Sequence, residues 1–252
     1  MNYLVGDIGN TFIKIALLNK KLSIRKIFVL KNDVFDKKKK REKFLKNIFQ
    51  KKINKKILFS SVNPEKFLIL KNYFKQKSYS VHEIKKFNLK KLIRLNIKNP
   101  GQVGSDRIAN AIGSFHNYRM NTIVIDFGTA TTFDIIKIPG VYDGGVIAPG
   151  IEMSLKNLYE KTALLPSINL KSKINSYGKN TVDAINAGFL WGYQGLVNNI
   201  IKQIQLKSRK KFKIVLTGGY SKIFNKFINQ KTIINKNITI EGIIKIYKFF
   251  LK

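Results

Sequence analysis

The chain has no cysteine among its 252 residues. Disulfide frameworks, thiol nucleophiles and zinc–thiolate sites are therefore excluded, and the composition fits a reducing compartment. Its only two histidines, His82 and His116, stand far apart in the sequence and offer no metal-binding spacing. Each reads as a surface or packing residue. No apolar run approaches the roughly 20 residues that span a bilayer. The opening MNYLVGDIGN lacks the basic start, apolar stretch and small-residue cleavage site of a signal peptide. A soluble, cytoplasmic protein with no membrane partner is expected. Phosphate-binding signatures are also missing. There is no G-x-x-x-x-G-K-[ST], and no two glycines sit two apart as the dinucleotide fingerprint requires. Asp126-Phe127-Gly128 spells the protein-kinase metal motif, but no H-R-D loop or glycine-rich lid accompanies it, so the match is accidental.

Acids are scarce, 14 against 48 basic residues, which leaves a net charge of +34. Such a charge favours anionic ligands. The lysines are spread through the chain, as at Lys37 to Arg41, Lys51 to Lys56 and Lys207 to Lys213, and these stretches read as loops. Spread in this way they do not predict one basic face, and no RNA-recognition signature, zinc finger or basic region with heptads is present. Nucleic acid is not the expected partner. A hydrophobic content of 44% is ample for a folded core.

Strand and helix patterns order the rest. Tyr3 to Asp7 reads as a strand, Gly9-Asn10 as a tight turn, and Thr11 to Leu18 as a second strand. Further strands are predicted at Ile57 to Val62 and Tyr79 to Ile84, with helices at Pro64 to Phe74 and Ser105 to about His116. The pattern then restarts. Thr122 to Asp126 is a strand, Gly128-Thr129 a turn, and Thr131 to Ile136 a strand, followed by a strand at Tyr142 to Ile147. A long helix is predicted over Thr181 to Gln205, a strand over Ile214 to Leu216 and a final helix over Glu241 to Leu251. Asp7-x-Gly9-Asn10-Thr11 and Asp126-x-Gly128-Thr129 are one device used twice, 119 residues apart. That repetition predicts two related halves, residues 1–118 and 119–252, with a cleft between them.

Each turn suits phosphate. Small residues let backbone N–H groups approach oxygens, hydroxyls and amides add donors, and a carboxylate can hold a cation. Asp7 to Thr11 supplies all three, and Asp126 to Thr132 adds a second acid and three threonines. Lys14 lies three residues beyond Thr11, so in a regular strand it points to the other side. Asp106, at the predicted helix start in Val103-Gly104-Ser105-Asp106-Arg107, has two readings. Ser105 or Asp106 can cap first-turn N–H groups. Alternatively Asp106 is a general base for a hydroxyl, with Arg107 binding an anion.

Taken together these segments resemble the type III pantothenate kinases, of the actin/hexokinase/Hsp70 superfamily. The resemblance runs in order along nearly the whole chain. It takes in Asp7 to Lys14, Asn99 to Arg107, Asp126 to Thr132, Gly144 to Gly150, Leu164-Leu165-Pro166, Gly178-x-x-Thr181 and Leu216 to Gly219. It implies an α/β fold of two ribonuclease-H-like lobes, each a mixed sheet flanked by helices, with an ATP cleft between them. The activity implied is ATP-dependent phosphorylation of pantothenate to 4'-phosphopantothenate, the first step of coenzyme A biosynthesis.

The residue roles implied follow the motifs. Asp7, Ile8, Gly9, Asn10, Thr11, Phe12, Ile13 and Lys14 would form the ATP phosphate site, with Asp7 near Mg²⁺ and Thr129 a further ATP contact. Asp106 would be the general base, Gly104, Ser105, Asp106 and Arg107 the substrate loop, and Thr181 a pantothenate contact. Asp126 would bind a monovalent cation, K⁺ or NH₄⁺. The resemblance also implies a homodimer. Ile97 departs from the family, which carries a tyrosine two residues before the Asn-Pro pair, so a hydroxyl is lost there. Two other readings stay open: a kinase of another small alcohol such as a sugar on the same fold, or a non-enzymatic basic regulatory or nucleic-acid-binding relative.

Overall fold

The structure is a computed structural model that describes residues 2–48 and 53–252. Lys51 and Lys52 of one basic stretch lie outside the described residues, as does Met1. The chain forms two compact units. The first comprises Met1–Arg119, Pro139–Tyr142 and Asn237–Lys252, and the second Met120–Ile138 and Asp143–Lys236.

The first unit is built on a five-stranded sheet of order β3-β2-β1-β4-β5. Strand β1 (Asn2–Ile8) pairs antiparallel with β2 (Phe12–Leu18), which pairs antiparallel with β3 (Ile24–Lys31). On its other side β1 runs parallel to β4 (Ile53–Ser61), and β4 to β5 (Ser80–Glu83). From Leu4 to Ile8 every residue of β1 is buried. A central strand covered on both faces loses the in–out alternation of a half-solvated one, which is why it reads as an unbroken apolar run. The short helix α1 (Asn32–Phe35) and α2 (Lys38–Ile48) follow β3. Lys38 to Arg41, expected as loop, lie in α2. Lysine is a good helix former, and Leu45 and Ile48 anchor the helix in the core with Phe35, Phe59 and Phe74. Likewise Lys55 and Lys56 lie in β4, Lys207 lies in the last turn of a helix and Lys213 begins a strand, rather than in loops.

Helix α3 (Pro64–Lys75) starts where Asn63 caps it by accepting from the Lys66 N–H at 3.0 Å, with proline in its first turn. The two-residue strand β6 (Arg94–Leu95) pairs with Val141 and Tyr142, which belong to the same unit. Helix α4 (Ser105–Tyr118) is covered by the C-terminal helix α8 (Ile238–Phe250). They meet through glycine: a Cβ on Gly242 would lie 1.9 Å from the Ala109 carbonyl oxygen, and one on Gly113 would lie 2.4 Å from that of Ile238. Buried Thr239 donates to Asn110 Oδ1 at 2.7 Å across the same contact. Tyr247, buried on α8, donates to the Lys56 carbonyl at 3.0 Å. Thus α8, from the far end of the chain, packs into the first unit.

The second unit repeats the plan. Strand β7 (Thr122–Phe127) pairs antiparallel with β8 (Ala130–Lys137), which neighbours β9 (Val141–Pro149). On the other side β7 runs parallel to β10 (Lys213–Gly218), and β10 to β11 (Thr232–Ile234). The order β9-β8-β7-β10-β11 matches β3-β2-β1-β4-β5 strand for strand. Helix α5 (Ile151–Glu160), the long α6 (Thr181–Ser208) and the single turn α7 (Ser221–Phe224) flank it. Leu190, Tyr193, Val197 and Ile201 of α6 pack on Ile123, Ile125, Phe133 and Leu216 of the sheet. The duplication inferred from two short turns therefore extends to a complete mixed-sheet topology.

Candidate active site

Asp7 is the penultimate residue of β1 and is buried. In the sheet register it stands opposite Lys14 of antiparallel β2 and Ser60 of parallel β4. Directly opposed residues project from the same face. Lys14 is therefore on the carboxylate's side of the sheet. Four residues separate the paired Ile8 and Ile13, and that spacing sets the register. Ser60 Oγ is buried with no hydrogen-bond partner among the described residues. A carboxylate, a hydroxyl and a lysine thus share one face at the end of β1.

The second turn repeats this grouping. Asp126 stands opposite Thr132 of β8 and Thr217 of β10. The backbone crowds around it. Gly218 has φ +84°, and a Cβ there would lie 2.6 Å from Asp126 Oδ1 and 2.5 Å from the Phe127 carbonyl oxygen. Only glycine satisfies both demands. Gly150 is similarly fitted against the turn, 1.8 Å from the Thr129 carbonyl oxygen if it carried a Cβ. Thr129 itself is exposed at the turn.

Asp106 lies in the first turn of α4. Its Oδ1 accepts from the Arg107 N–H at 2.8 Å. Burial pushes its carboxyl above the usual carboxylate range, opposed by that hydrogen bond and by the charges of Arg107 and Lys85. Capping and basicity are not alternatives here: the N–H holds one oxygen while burial raises proton affinity. Gly104, the N-cap, leaves the room for this, because a Cβ there would stand 2.4 Å from Asp106 Oδ1. Buried Ser105 donates to Glu83 Oε1 at 2.6 Å, and Glu83 Oε2 accepts from the Lys85 N–H at 2.7 Å. Lys85 Nζ reaches the Gly101 carbonyl at 3.2 Å. Glu83 and Lys85 brace the loop before Asp106, and the motifs gave no sign of them. The Arg107 guanidinium lies over the Tyr142 ring, 5.9 Å from its centroid.

Thr181 opens α6, where Asn180 caps the helix by accepting from the Asp183 N–H at 2.9 Å. Gly178 is needed by close approach, since a Cβ would sit 2.0 Å from the Ala184 nitrogen. Asp7, Asp106 and their loops thus belong to the first unit, and Asp126, Thr129 and Thr181 to the second. His82 Nε2 bonds Ser80 Oγ at 2.8 Å, and burial lowers the pKa of both imidazoles. Among the described residues no group of three or more His, Cys, Asp or Glu could hold a metal. A Mg²⁺ held through one carboxylate, waters and a polyphosphate needs no such cage, and the Asp7–Ser60 pair fits that donor set.

The family model for type III pantothenate kinase matches residues 3–203. A type III pantothenate kinase of Pelagibacter ubique is 46% identical over 245 residues, 96% of this chain and 97% of that one. The chain belongs to the type III pantothenate kinase family. Solved structures agree on the fold. A Campylobacter jejuni protein described as a Baf family transcriptional activator superposes with TM-score 0.61 at 23% identity, over 98% of each chain. The polyphosphate/ATP-glucomannokinase of an Arthrobacter strain gives 0.50 at 12%, over 98% of this chain and 99% of its own. At those identities the likeness is one of fold alone. The family match takes in both aspartate turns, Asn99 to Arg107, and Gly178 to Thr181. Leu216 to Gly219 lies beyond it. Ile97, the position where the sequence is expected to depart from the family pattern, is half-buried.

Proposed function

We propose that this chain phosphorylates the primary hydroxyl of pantothenate with ATP, with Asp106 as general base. Family membership carries the reaction, which is the entry to coenzyme A biosynthesis. The observation carrying the base is the half-buried Asp106 carboxylate, raised in pKa and held by the Arg107 N–H at 2.8 Å. Its proton affinity is shifted towards neutrality, where a base works best. In the transfer the hydroxyl oxygen bonds the γ-phosphorus, the bond to the β-phosphate oxygen breaks, the hydroxyl proton passes to Asp106, and ADP leaves. Positioning and charge stabilisation supply most of the rate in such reactions.

The turn from Asp7 to Lys14 would hold the phosphates, with Thr129 a further ATP contact. Gly104 to Arg107 and Thr181 would hold pantothenate. Mg²⁺ at Asp7 would neutralise phosphate charge, and K⁺ or NH₄⁺ would sit at Asp126 among Thr132, Thr217 and the bare Gly218 backbone. A homodimer is supported by the face of α6. Trp191 is 49% exposed there, and Gly188, Gly192 and Gly195 beside it face open space. Among the described residues no helix is long and apolar enough to cross a membrane, and a cytoplasmic setting accords with the lack of cysteine.

The deciding experiment is ATP consumption by purified protein with pantothenate, with and without potassium. Pantothenate-dependent ADP formation is expected. Turnover with a sugar but not with pantothenate would refute the substrate assignment.

A further inference from the structure

We propose that Asn32 is a positioning residue that shapes the first turn for phosphate, an inference that rests on reading Asp7 to Lys14 as the ATP site. Asn32 lies 21 residues beyond Thr11, at the junction of β3 and α1, and is buried. Its Nδ2 donates to two successive carbonyls of the turn, Gly9 at 3.0 Å and Asn10 at 2.8 Å. Its backbone N–H donates to the next, Thr11, at 2.9 Å. One residue thus occupies three consecutive carbonyl oxygens. The amide orientation is not arbitrary: both partners of Nδ2 are acceptors, so the carbonyl end of the side chain cannot take its place. Oδ1 is buried with no hydrogen-bond partner among the described residues.

The consequence lies in the peptide planes. In a trans peptide the C=O and the following N–H point in opposite directions. When the Gly9 and Asn10 carbonyls are drawn to Asn32, the N–H groups of Asn10 and Thr11 are turned to the other side. Successive N–H groups held facing one way form an anion-binding concavity. Gly9 contributes only the hydrogen bond from its own N–H to the Phe12 carbonyl at 3.0 Å, and glycine leaves its neighbouring planes free to rotate. Asn32 removes that freedom before ATP arrives, so the ordering is not charged against binding.

The test uses the full-length protein with Asn32→Leu, which keeps the shape and deletes both donors, and Asn32→Asp. Both retain the backbone bond to Thr11. Loss of one to two net hydrogen bonds predicts a rise in ATP KM and in the Kd for Mg·ATP of about tenfold. Pantothenate KM should stay within about twofold, a split that general destabilisation would not produce. Asn32→Asp adds a second readout. Protonating the carboxyl restores one O–H donor, so its affinity relative to wild type should recover as pH falls. In parallel, the amide resonances of Gly9 to Phe12 are followed in wild type as Mg·ATP is added. If they move but both folded variants bind ATP within twofold of wild type, the positioning role is wrong while the phosphate site stands. If they do not move, the turn is not the phosphate site, and the inference falls with that reading.

Discussion

Replacing Gly104 by alanine should separate activity from stability. The added Cβ would stand 2.4 Å from Asp106 Oδ1, where ordinary contact begins near 3.4 Å, so the carboxylate must retreat by about 1 Å. Gly104 has φ −57°, so the backbone accepts alanine without strain. The obstacle is the end of a side chain, which can rotate. Rotation weakens the bond from the Arg107 N–H, a charge-assisted hydrogen bond, and part of that loss is regained by hydration. A cost of about 1 kcal/mol is expected, or about 2–4 °C in Tm for a chain of this size. The catalytic loss should be larger, because displacing a reacting group by about 1 Å can cost about 100-fold. Steady-state kinetics with pantothenate and ATP, beside thermal melts, measure both. In an Asp106→Ala background Gly104→Ala should cost almost no stability, since the clashing atoms are gone. A kcat within threefold of wild type would show that the carboxylate does not act from this position. An undiminished melting loss in the Asp106→Ala background would place the clash elsewhere, with Val62 the next neighbour at 3.4 Å.

Asp106→Asn should lower kcat by roughly 10²–10⁴ while leaving ATP binding intact, checked by turnover and calorimetry. Because burial raises the carboxyl pKa, wild-type activity should rise with pH through an apparent value above the ordinary carboxylate range. The same shift has a stability sign: its stabilising share is complete below the unfolded value of about 3.9 and is lost as pH rises through the folded pKa. Asp106→Asn should therefore melt higher than wild type near neutral pH but not at pH 3, and a lower Tm at neutral pH would contradict this. Asp126→Ala should abolish stimulation by potassium; full activity of wild type in sodium-only buffer would count against a cation at Asp126. Gly242→Ala should cost about 1–3 kcal/mol or more in urea unfolding by forcing α8 off Ala109, whereas an unchanged midpoint would show that the helices can separate freely.

The central hairpins were legible because each strand is a dense apolar run stopped by Asp-x-Gly, and their repetition pointed to a duplicated fold. Strand β3 and helices α2 and α5 were not read. In α2 the lysines mask the anchors Leu45 and Ile48. In α5, Ile151, Leu155 and Leu158 do recur at helical spacing, directly after the Ala148-Pro149-Gly150 stop. Alternation along β2 relates Lys14 to Thr11 but says nothing of Asp7 on the neighbouring strand, because register is set between two strands. Asp106 and Gly104 could be found from their motif. Glu83, Lys85 and Asn32 act on site loops from 16 to 23 residues away in the chain, and no local pattern marks them.

The return of α8 to the first unit has a bearing on how the protein is made. Synthesis supplies the sheet of that unit and α4 first, then the whole second unit, and α8 last. The 117 residues between Arg119 and Asn237 take roughly 6–23 s at 5–20 residues per second. During that interval Ala109 and Gly113 lack their helical cover, because α8 has yet to be made. Nascent or prematurely terminated chains lacking residues 237–252 would therefore be recognisable to chaperones and proteases by one uncovered helix.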